Sequence, residues 1–556
     1  MDHSVTAHES PQASSRPRSS RSAWSRMRRR VLPDALRLNT TVWVGFLASV
    51  LAAVSAWAIG FVANTPDATF TGSTFVNALR ANDAVLWAAV IGLATAVGLA
   101  SHAWIQLARR LSLSDGHHVQ TRIVVLWSAP WFFAPPIFSN DMYSYLAQGR
   151  LLMLGKNPYT DWVSQVPGWF GQGAASVWAE SASPYGPLFL IMAAAVALVS
   201  WGNPDIALFL FRLIALVGVI IFMKIIPKLS RDHGVNPTWV QWVTAASPLF
   251  LYSMIASGHN DALMVGLMMW AFVALRRNKV VAGLLLATAA IAIKPIVVLC
   301  LPFIGLTWAG KNASWGRRWM CWIITGVTVA FVLTLLGIVT GTWFGWITAM
   351  AGQGMAIFPF APFGLLGLGF GKLVSFAGGA QAGLIAQALF YAVGKLIAIG
   401  LAVWFALARP KISPLTASGL VLLAASLLNP VIQPWYFYWF LPFLLCRRMY
   451  FGFVEQLIVW GSIAHVIWTT STQISLPPWQ ELGSFQLVFI LISTTISILA
   501  VSLPRTQRKL LVPPAWRDVR TPARTSIVVP TLSRWHRSTI GPGIYSSPRV
   551  IDERVW

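Results

Sequence analysis

The sequence is poor in charged residues. Only 10% of its 556 residues are Asp, Glu, Lys or Arg and 56% are hydrophobic, whereas roughly 25% of a typical soluble domain is charged. Apolar stretches of about bilayer-spanning length recur from Val42 almost to Leu503. This composition excludes an ordinary soluble protein and predicts an all-α, polytopic integral membrane protein.

Cysteines and acidic residues are also scarce. The three cysteines, Cys300, Cys321 and Cys446, lie in or beside apolar segments and show no pairing pattern, which excludes a disulfide scaffold and a cysteine-type zinc site. Of the 17 Asp and Glu residues, six lie in the terminal segments. The eleven carboxylates that remain are few enough to examine individually as candidates for chemistry.

The net charge of +24 is concentrated at the chain ends. Residues 1–41 carry eight Arg against three acids, and residues 505–556 carry ten Lys or Arg against three acids. We expect 1–41 and 504–556 to be basic cytosolic segments attracted to anionic lipid, flanking a transmembrane domain at 42–503. A nucleic-acid partner is not expected, because no nucleic-acid-recognition motif accompanies the positive charge.

Basic clusters between the apolar stretches predict the topology, because Lys and Arg are retained on the cytoplasmic side. Placing them inside yields about 13–14 transmembrane helices, among them spans at 206–226, 239–257 and 381–407, and an outer loop at 139–186, referred to below as the outer segment. The apolar stretch 187–201 is interpreted as a juxtamembrane helix on the outer surface. The spans predicted at 261–275 and 436–447 are short and should be tilted, broken or buried.

The outer segment contains side chains that suit carbohydrate and phosphate. Tyrosines offer stacking faces with polar tips, an arginine offers a guanidinium fork for phosphate, and a carboxylate offers a base. The candidates in this segment are Asn140, Asp141, Tyr143, Tyr145, Arg150 and Tyr185. The alternative for Asp141 is that it merely caps a helix N-terminus.

Further polar clusters are predicted on the same outer face. They are His259-Asn260-Asp261, Lys294 before Pro295, the uncharged Gly352-Gln353-Gly354, and Gln433 with Trp435 and Tyr436. Separately, His259 and Asn260 could be turn residues, Lys294 could snorkel to the interface, and the aromatic pair could belong to an interfacial belt. Their convergence on one face favours a site.

Four motifs carry a resemblance to a known family. They are Asn140-Asp141-Met142-Tyr143-Ser144-Tyr145-Leu146-Ala147-Gln148-Gly149, Asn157-Pro158-Tyr159, Ser183-Pro184-Tyr185-Gly186-Pro187-Leu188 and Gly258-His259-Asn260-Asp261. Over residues 40–503 the chain resembles GT-C glycosyltransferases, in particular actinobacterial polyprenol-phosphomannose-dependent α-(1→6)-mannosyltransferases of lipomannan and lipoarabinomannan synthesis. Met142 stands where Val would be more usual, a change on which no role depends.

The resemblance implies a reaction and roles. Asp141 would be the base that deprotonates the acceptor mannose, and one carboxylate suffices for inversion because no glycosyl-enzyme intermediate forms. Lys294, His259 and Arg150, in falling order, would stabilise the leaving polyprenyl phosphate. Asp261 would orient His259 or Lys294, or hold a divalent cation with Asp141; the sequence leaves the metal open.

The resemblance also implies a location and partners. The protein would lie in the plasma membrane with its site on the extracytoplasmic face, and would bind polyprenol-phosphomannose and a lipid-anchored mannan. Alternatives are a transferase for another polyprenyl-phosphate sugar such as arabinose, a transporter or flippase for a lipid-linked substrate, and a structural scaffold. Transport is disfavoured, because the halves do not repeat and few charges lie near predicted span centres.

Overall fold

The computed structural model describes residues 21–111, 116–352, 361–408, 412–446, 453–476 and 482–501, which contain helices and no β-strand. In chain order the α-helices of these residues are α1 Arg21–Ile59, α2 Thr74–Arg80, α3 Asp83–Arg110, α4 Gly116–Ser128, α5 Asp141–Met153, α6 Pro187–Val199, α7 Pro204–Asp232, α8 Pro237–Val243, α9 Pro248–Leu251, α10 Asp261–Arg276, α11 Val280–Ile293, α12 Leu301–Ala309, α13 Trp315–Thr340, α14 Gly345–Gly352, α15 Pro362–Leu407, α16 Pro414–Leu427, α17 Phe437–Leu445, α18 Phe453–Thr472 and α19 Leu482–Val501.

Short turns of other helix types join these elements. Five are 3₁₀ helices, at Ala129–Phe133, Val163–Gln165, Ser176–Trp178, Pro295–Cys300 and Pro434–Tyr436. One is a π-helix, at Tyr252–Ala256, which follows α9 directly. Gln353, Gly354 and the C-terminal segment 504–556 lie outside the residues described.

Five described helices are long and apolar enough to cross a membrane, which confirms an all-α polytopic membrane protein. The segments are Asn39–Ile59, Asp83–Ala108, Pro204–Asp232, Trp315–Thr340 and Pro362–Leu407. A sixth span results if Pro248–Ala256 and Asp261–Arg276, bent by 109°, cross together. Further apolar helices of 10–17 residues are present, and the total of 13–14 crossings stays a prediction.

Three predicted segments differ in the structure. The span expected at 239–257 is broken, because Ser247 caps a new helix that starts at Pro248. The span expected at 381–407 is the second part of α15, which changes direction at Gly379, where φ is +81°. The outer segment 139–186 is not only loop, since it contains the 13-residue helix α5.

The close approach of two glycines explains the shape of α15. A Cβ on Gly371 would lie 2.8 Å from the carbonyl oxygen of Gly383, and one on Gly383 would lie 2.6 Å from that of Gly371. The two parts of α15 therefore pack backbone to backbone, which only glycine permits.

Helix α5 is largely buried among its neighbours. α5 packs against α6 and α7, and α10 packs against α7, α11 and α17. Nine of the thirteen residues of α5 are buried. The expected juxtamembrane stretch 187–201 forms helix α6; its position relative to the membrane stays a prediction.

Candidate active site

Asp141 is the first residue of α5 and does not cap the helix with its side chain. The N-cap position belongs to Asn140, which makes no side-chain capping bond. The backbone N–H of Asp141 donates to Ser139 Oγ at 3.1 Å, so the first turn is held by a neighbouring hydroxyl. The carboxylate of Asp141 is thus free for other contacts, which contradicts its interpretation as a capping residue.

The Asp141 carboxylate lies among donors from two other segments. Tyr185 donates its hydroxyl to Oδ2 at 3.4 Å, and His259 Nδ1 lies 3.5 Å from the same oxygen. The Asp141 side chain retains 14% exposure. Burial raises the pKa of this carboxyl, whereas a hydrogen bond with Ser139 and the charge of Lys294 oppose the rise. A carboxyl with a raised pKa that is still accessible suits a general base near neutral pH.

A buried ion pair lies beside this carboxylate. Lys294 Nζ donates to Asp261 Oδ1 at 2.8 Å, and Trp439 Nε1 donates to the same oxygen. The Lys294 side chain is 7% exposed and that of Asp261 is fully buried. The ammonium also faces three aromatic rings, with centroids 5.2 to 5.7 Å away, at Tyr185, Tyr436 and Trp439. Lys294 therefore points into the protein, which contradicts the snorkelling alternative.

The His259 imidazole lies beside the Asp141 carboxylate. Its ring is fully buried, and Nδ1 lies 3.3 Å from the hydroxyl of Tyr145 as well as facing Asp141. Trp435 stacks on the imidazole, with centroids 3.6 Å apart and planes inclined by 29°. Both rings are buried in the protein, which contradicts the interfacial-belt alternative for Trp435. His259 and Asn260 do lie in the turn between the π-helix and α10, so the turn alternative is correct for their backbone, while the buried imidazole also faces Asp141.

Two glycines allow the segments to meet. Gly258 has φ of +67°, and a Cβ there would collide with the side chain of Met142 in the first turn of α5. Gly186 donates its N–H to the carbonyl of Ile293 at 3.0 Å, and a Cβ there would collide with the carbonyl of Ala292. These close approaches seat His259 beside Asp141 and Tyr185 beside Lys294.

Four polar atoms of the His259-Asn260-Asp261 segment are buried without a hydrogen bond to any described residue. They are His259 Nε2, Asn260 Nδ2, Asn260 Oδ1 and Asp261 Oδ2. Because a buried polar group is costly unless it forms a hydrogen bond, these atoms are suited to bind a polar ligand. Both donors and acceptors are present, which matches a ligand rich in hydroxyl groups.

Other predicted site residues support the cluster or lie apart from it. Asn140 Nδ2 donates to the carbonyl of Gly173 at 3.0 Å, and the Tyr143 hydroxyl donates to that of Phe61 at 3.2 Å. Both side chains therefore anchor α5 to neighbouring segments. Gln433 is buried, 7% exposed, and its carbonyl accepts from the Tyr436 N–H at 3.0 Å.

Arg150 does not join the cluster. It lies nine residues after Asp141 on α5, which separates the two Cα atoms by about 13 Å along the helix axis. Its guanidinium donates to the side-chain oxygen of Gln172. Its assignment as a phosphate ligand stays a prediction that this geometry does not favour.

Sequence reasoning missed Ser139 and Trp439. Trp439 lies three residues after Tyr436, and their rings stack with centroids 3.7 Å apart. A helical continuation from Tyr436 would have placed both on one face, a signal that was available. Ser139 was visible beside Asp141, but its bond to the helix start depends on local backbone geometry.

No group of three or more His, Cys, Asp or Glu side chains that could hold a metal occurs within the described ranges. A divalent ion shared by Asp141 and Asp261 would thus need further ligands of another kind. That alternative remains as open as the sequence left it.

Comparison with known proteins agrees with the resemblance that the sequence motifs carry. Residues 42–310 match the family described as alpha-(1->6)-mannopyranosyltransferase, N-terminal domain. The chain resembles the α-(1→6)-mannopyranosyltransferases. This confirms the resemblance carried by the motifs, and the chain is a membrane enzyme of the hexosyltransferase class.

Three relatives illustrate the extent of the likeness. A probable alpha-(1->6)-mannopyranosyltransferase of Mycolicibacterium smegmatis is 28% identical over 73% of this chain and 78% of its own length. Alpha-(1->6)-mannopyranosyltransferase A of Mycobacterium tuberculosis is 32% identical over 47% of this chain and 52% of its own length. Alpha-(1->6)-mannopyranosyltransferase A of Corynebacterium glutamicum is 25% identical over 65% of this chain and 78% of its own length. No solved structure matches significantly.

Proposed function

We propose that this protein transfers mannose from polyprenol-phosphomannose to an α-(1→6)-mannan acceptor, with inversion, in building the backbone of lipomannan and lipoarabinomannan. The observation that carries the proposal is the accessible Asp141 carboxylate, 3.4 to 3.5 Å from Tyr185 and His259 and beside the buried pair Lys294–Asp261. A base and a cation lie together there, as displacement of a phosphate by a hydroxyl requires.

Asp141 acts as the base. The acceptor hydroxyl attacks the anomeric carbon and loses its proton to Asp141 Oδ1 or Oδ2, while the glycosidic C–O bond to phosphate breaks. Only one carboxylate is needed for inversion, by the logic of inverting glycosidases. Asp261 is fully buried and already bonded to Lys294 and Trp439, so it holds the cation in place and is not the base.

Lys294 stabilises the leaving phosphate. An ammonium has three N–H donors, and among the described residues Lys294 makes one hydrogen bond, to Asp261. Two donors remain for phosphate oxygens in a site where little water weakens the interaction. The helix starts at Asp141 and Asp261 add partial positive charge at the same place.

The unpartnered atoms of His259 and Asn260 bind sugar hydroxyls. A pyranose presents neighbouring hydroxyl groups, each a donor and an acceptor, and the Asn260 amide supplies one of each kind. Trp435, Tyr436 and Tyr185 supply aromatic faces of the kind that stack on sugar rings. The site lies in the proposed domain 42–503 and opens on the extracytoplasmic face of the plasma membrane; the basic clusters of the sequence support this orientation.

The test is transfer by membranes that contain the protein. Labelled polyprenol-phosphomannose and a short α-(1→6)-mannoside should yield an elongated α-(1→6) product, with the new anomeric configuration read by NMR. Polyprenyl-phosphoarabinose serves as the competing donor. Transfer of arabinose instead of mannose, or of neither sugar, overturns the proposal.

A further inference from the structure

Arg212 is a fully buried arginine in the first third of α7, at 1% exposure. Its guanidinium donates to three backbone carbonyls: Nη1 to Ala134 at 2.6 Å, Nε to Ile255 at 3.2 Å and Nη2 to Ala256 at 3.0 Å. None of the ion pairs in the described part of the chain includes it. A charge inside a spanning helix is costly, so a function for these contacts is expected.

The three carbonyls belong to the two segments that carry the site. Ala134 begins the connection from the 3₁₀ helix Ala129–Phe133 to Asp141. Ile255 and Ala256 end the π-helix, whose last carbonyls have no partner within the helix, and His259 follows three residues later. One side chain thus joins the backbone leading to the base with the backbone leading to His259 and Asp261.

A second contact shows that the two segments are held to each other at this point. Ser257 Oγ donates to the carbonyl of Ile137 at 2.6 Å. Gly258 then packs on Met142 in the first turn of α5. Along the chain, the carbonyls that Arg212 binds lie three residues before Ile137 and one to two residues before Ser257.

Only a guanidinium can make these bonds together. Its donors lie in one rigid plane and point in several directions, whereas an ammonium is a compact point charge on a flexible stem. Lys at this position would reach fewer of the three carbonyls at once. The others would be left buried without a donor.

We propose that Arg212 is a positioning residue of the transferase, which sets the separation between Asp141 and His259 through the backbone without touching substrate. The inference rests on the proposed function. A displacement of about 1 Å at reacting groups can cost on the order of 100-fold in rate, so a loosened junction should act on turnover.

The test compares Arg212→Lys and Arg212→Gln with Arg318→Lys. Arg318 is also a buried arginine, 4% exposed, and its guanidinium donates to the carbonyls of Ala313 and Lys311 just before α13. Both Arg212 variants should lower kcat per folded molecule by about 10- to 100-fold and change KM by less than about threefold. Arg318→Lys should keep kcat, even where its thermal stability falls equally.

Amide hydrogen exchange supplies a readout that does not depend on mannose transfer. Arg212→Lys should speed exchange in residues 134–141 and 255–261, and Arg318→Lys only near 309–318. If the wild-type protein does not transfer mannose, the proposed function is refuted. Amide hydrogen exchange still tests whether Arg212 holds the two segments together. Unchanged exchange in both segments, unchanged kcat, or failure of both Arg212 variants to fold overturns the positioning role; the last result would assign the guanidinium to folding.

Discussion

Asp141 and Asp261 are both the first residue of an α-helix, but their surroundings differ. Each begins an α-helix whose N-terminus favours a negative charge. Asp261 is fully buried and bonded at 2.8 Å to Lys294, whereas Asp141 keeps 14% exposure and has contacts of 3.4 and 3.5 Å. Asp141 can therefore accept a proton from a ligand, whereas the Asp261 carboxylate is already paired with the Lys294 ammonium.

At this scale the first prediction concerns Lys294. Lys294→Gln removes the charge that the departing phosphate meets, and loss of one such electrostatic group typically costs about 100- to 1,000-fold in kcat. The acidic limb of the pH–rate profile should also move to higher pH, because the Lys294 charge lowers the pKa of Asp141. Transfer assays across pH measure both effects.

The control for Lys294 addresses folding. Removing one partner of a buried ion pair costs about 3–5 kcal/mol, because the other charge is left uncompensated. The double variant Lys294→Gln with Asp261→Asn removes both charges and should recover folded protein without recovering transfer. Wild-type rates in Lys294→Gln would eliminate this residue from the site.

Among the elements, the connection between Ser183 and Pro187 determines where the Tyr185 ring lies. The Tyr159 hydroxyl donates to the carbonyl of Tyr185 at 2.8 Å, and Ser183 Oγ donates to Gln148 at 2.9 Å. Gly186 then bonds to the last residue of α11, directly before Lys294. The Tyr-Gly-Pro motif is therefore a connection between α5 and α11 as well as an entry to α6.

A prediction at the element scale follows from Gly186. Gly186→Ala would push its Cβ into the backbone of Ala292 and displace Tyr185 from Asp141, so transfer should fall at least about tenfold. Gly326→Ala is the matched control, because nothing lies within 4 Å of a Cβ at this half-buried position of α13. Equal transfer by the two variants would show that the connection tolerates a methyl group.

Sequence patterns predicted which polar side chains lie together better than they predicted the bounds of the surrounding helices. Charge asymmetry and helix breaks brought Asp141, Tyr185, His259, Asp261, Lys294, Trp435 and Tyr436 to one face, and the structure brings these side chains into one cluster. The sequence analysis grouped Arg150 with them because it treated 139–186 as a loop, in which two residues nine positions apart can lie close together. In helix α5 the same separation holds Arg150 away from Asp141. Arg212 was recognisable in the sequence as a charge inside the span predicted at 206–226, but its contacts were not, since its partners are backbone carbonyls distant in sequence.

At the scale of the whole molecule, the described helices differ in how far they are covered by protein. About half of the spanning windows in α1, α3 and α7 is buried, but only 22% of those in α13 and α15. We therefore expect the exposed apolar side chains along α13 and α15 to face lipid. The polar cluster lies elsewhere, on the starts of α5 and α10.

The predicted topology can be tested by cysteine labelling. Ser176 is exposed in the outer segment and Asn312 is exposed in a loop expected to be cytosolic, and the three native cysteines are buried. An impermeant thiol reagent should label Ser176→Cys in intact cells and Asn312→Cys only after permeabilisation. The reverse pattern would place the site on the cytosolic face.

The central claim, that Asp141 is the base of a mannosyl transfer, has one direct measurement. Asp141→Asn keeps the size of the side chain and removes the proton acceptor, whose contribution is typically about 100- to 10,000-fold. The control is Asp161→Asn, since Asp161 instead accepts the Asn157 N–H at 2.7 Å in the same outer segment. At matched protein levels, transfer from polyprenol-phosphomannose should fall by that factor in Asp141→Asn and persist in Asp161→Asn; near-normal transfer by Asp141→Asn would contradict the account.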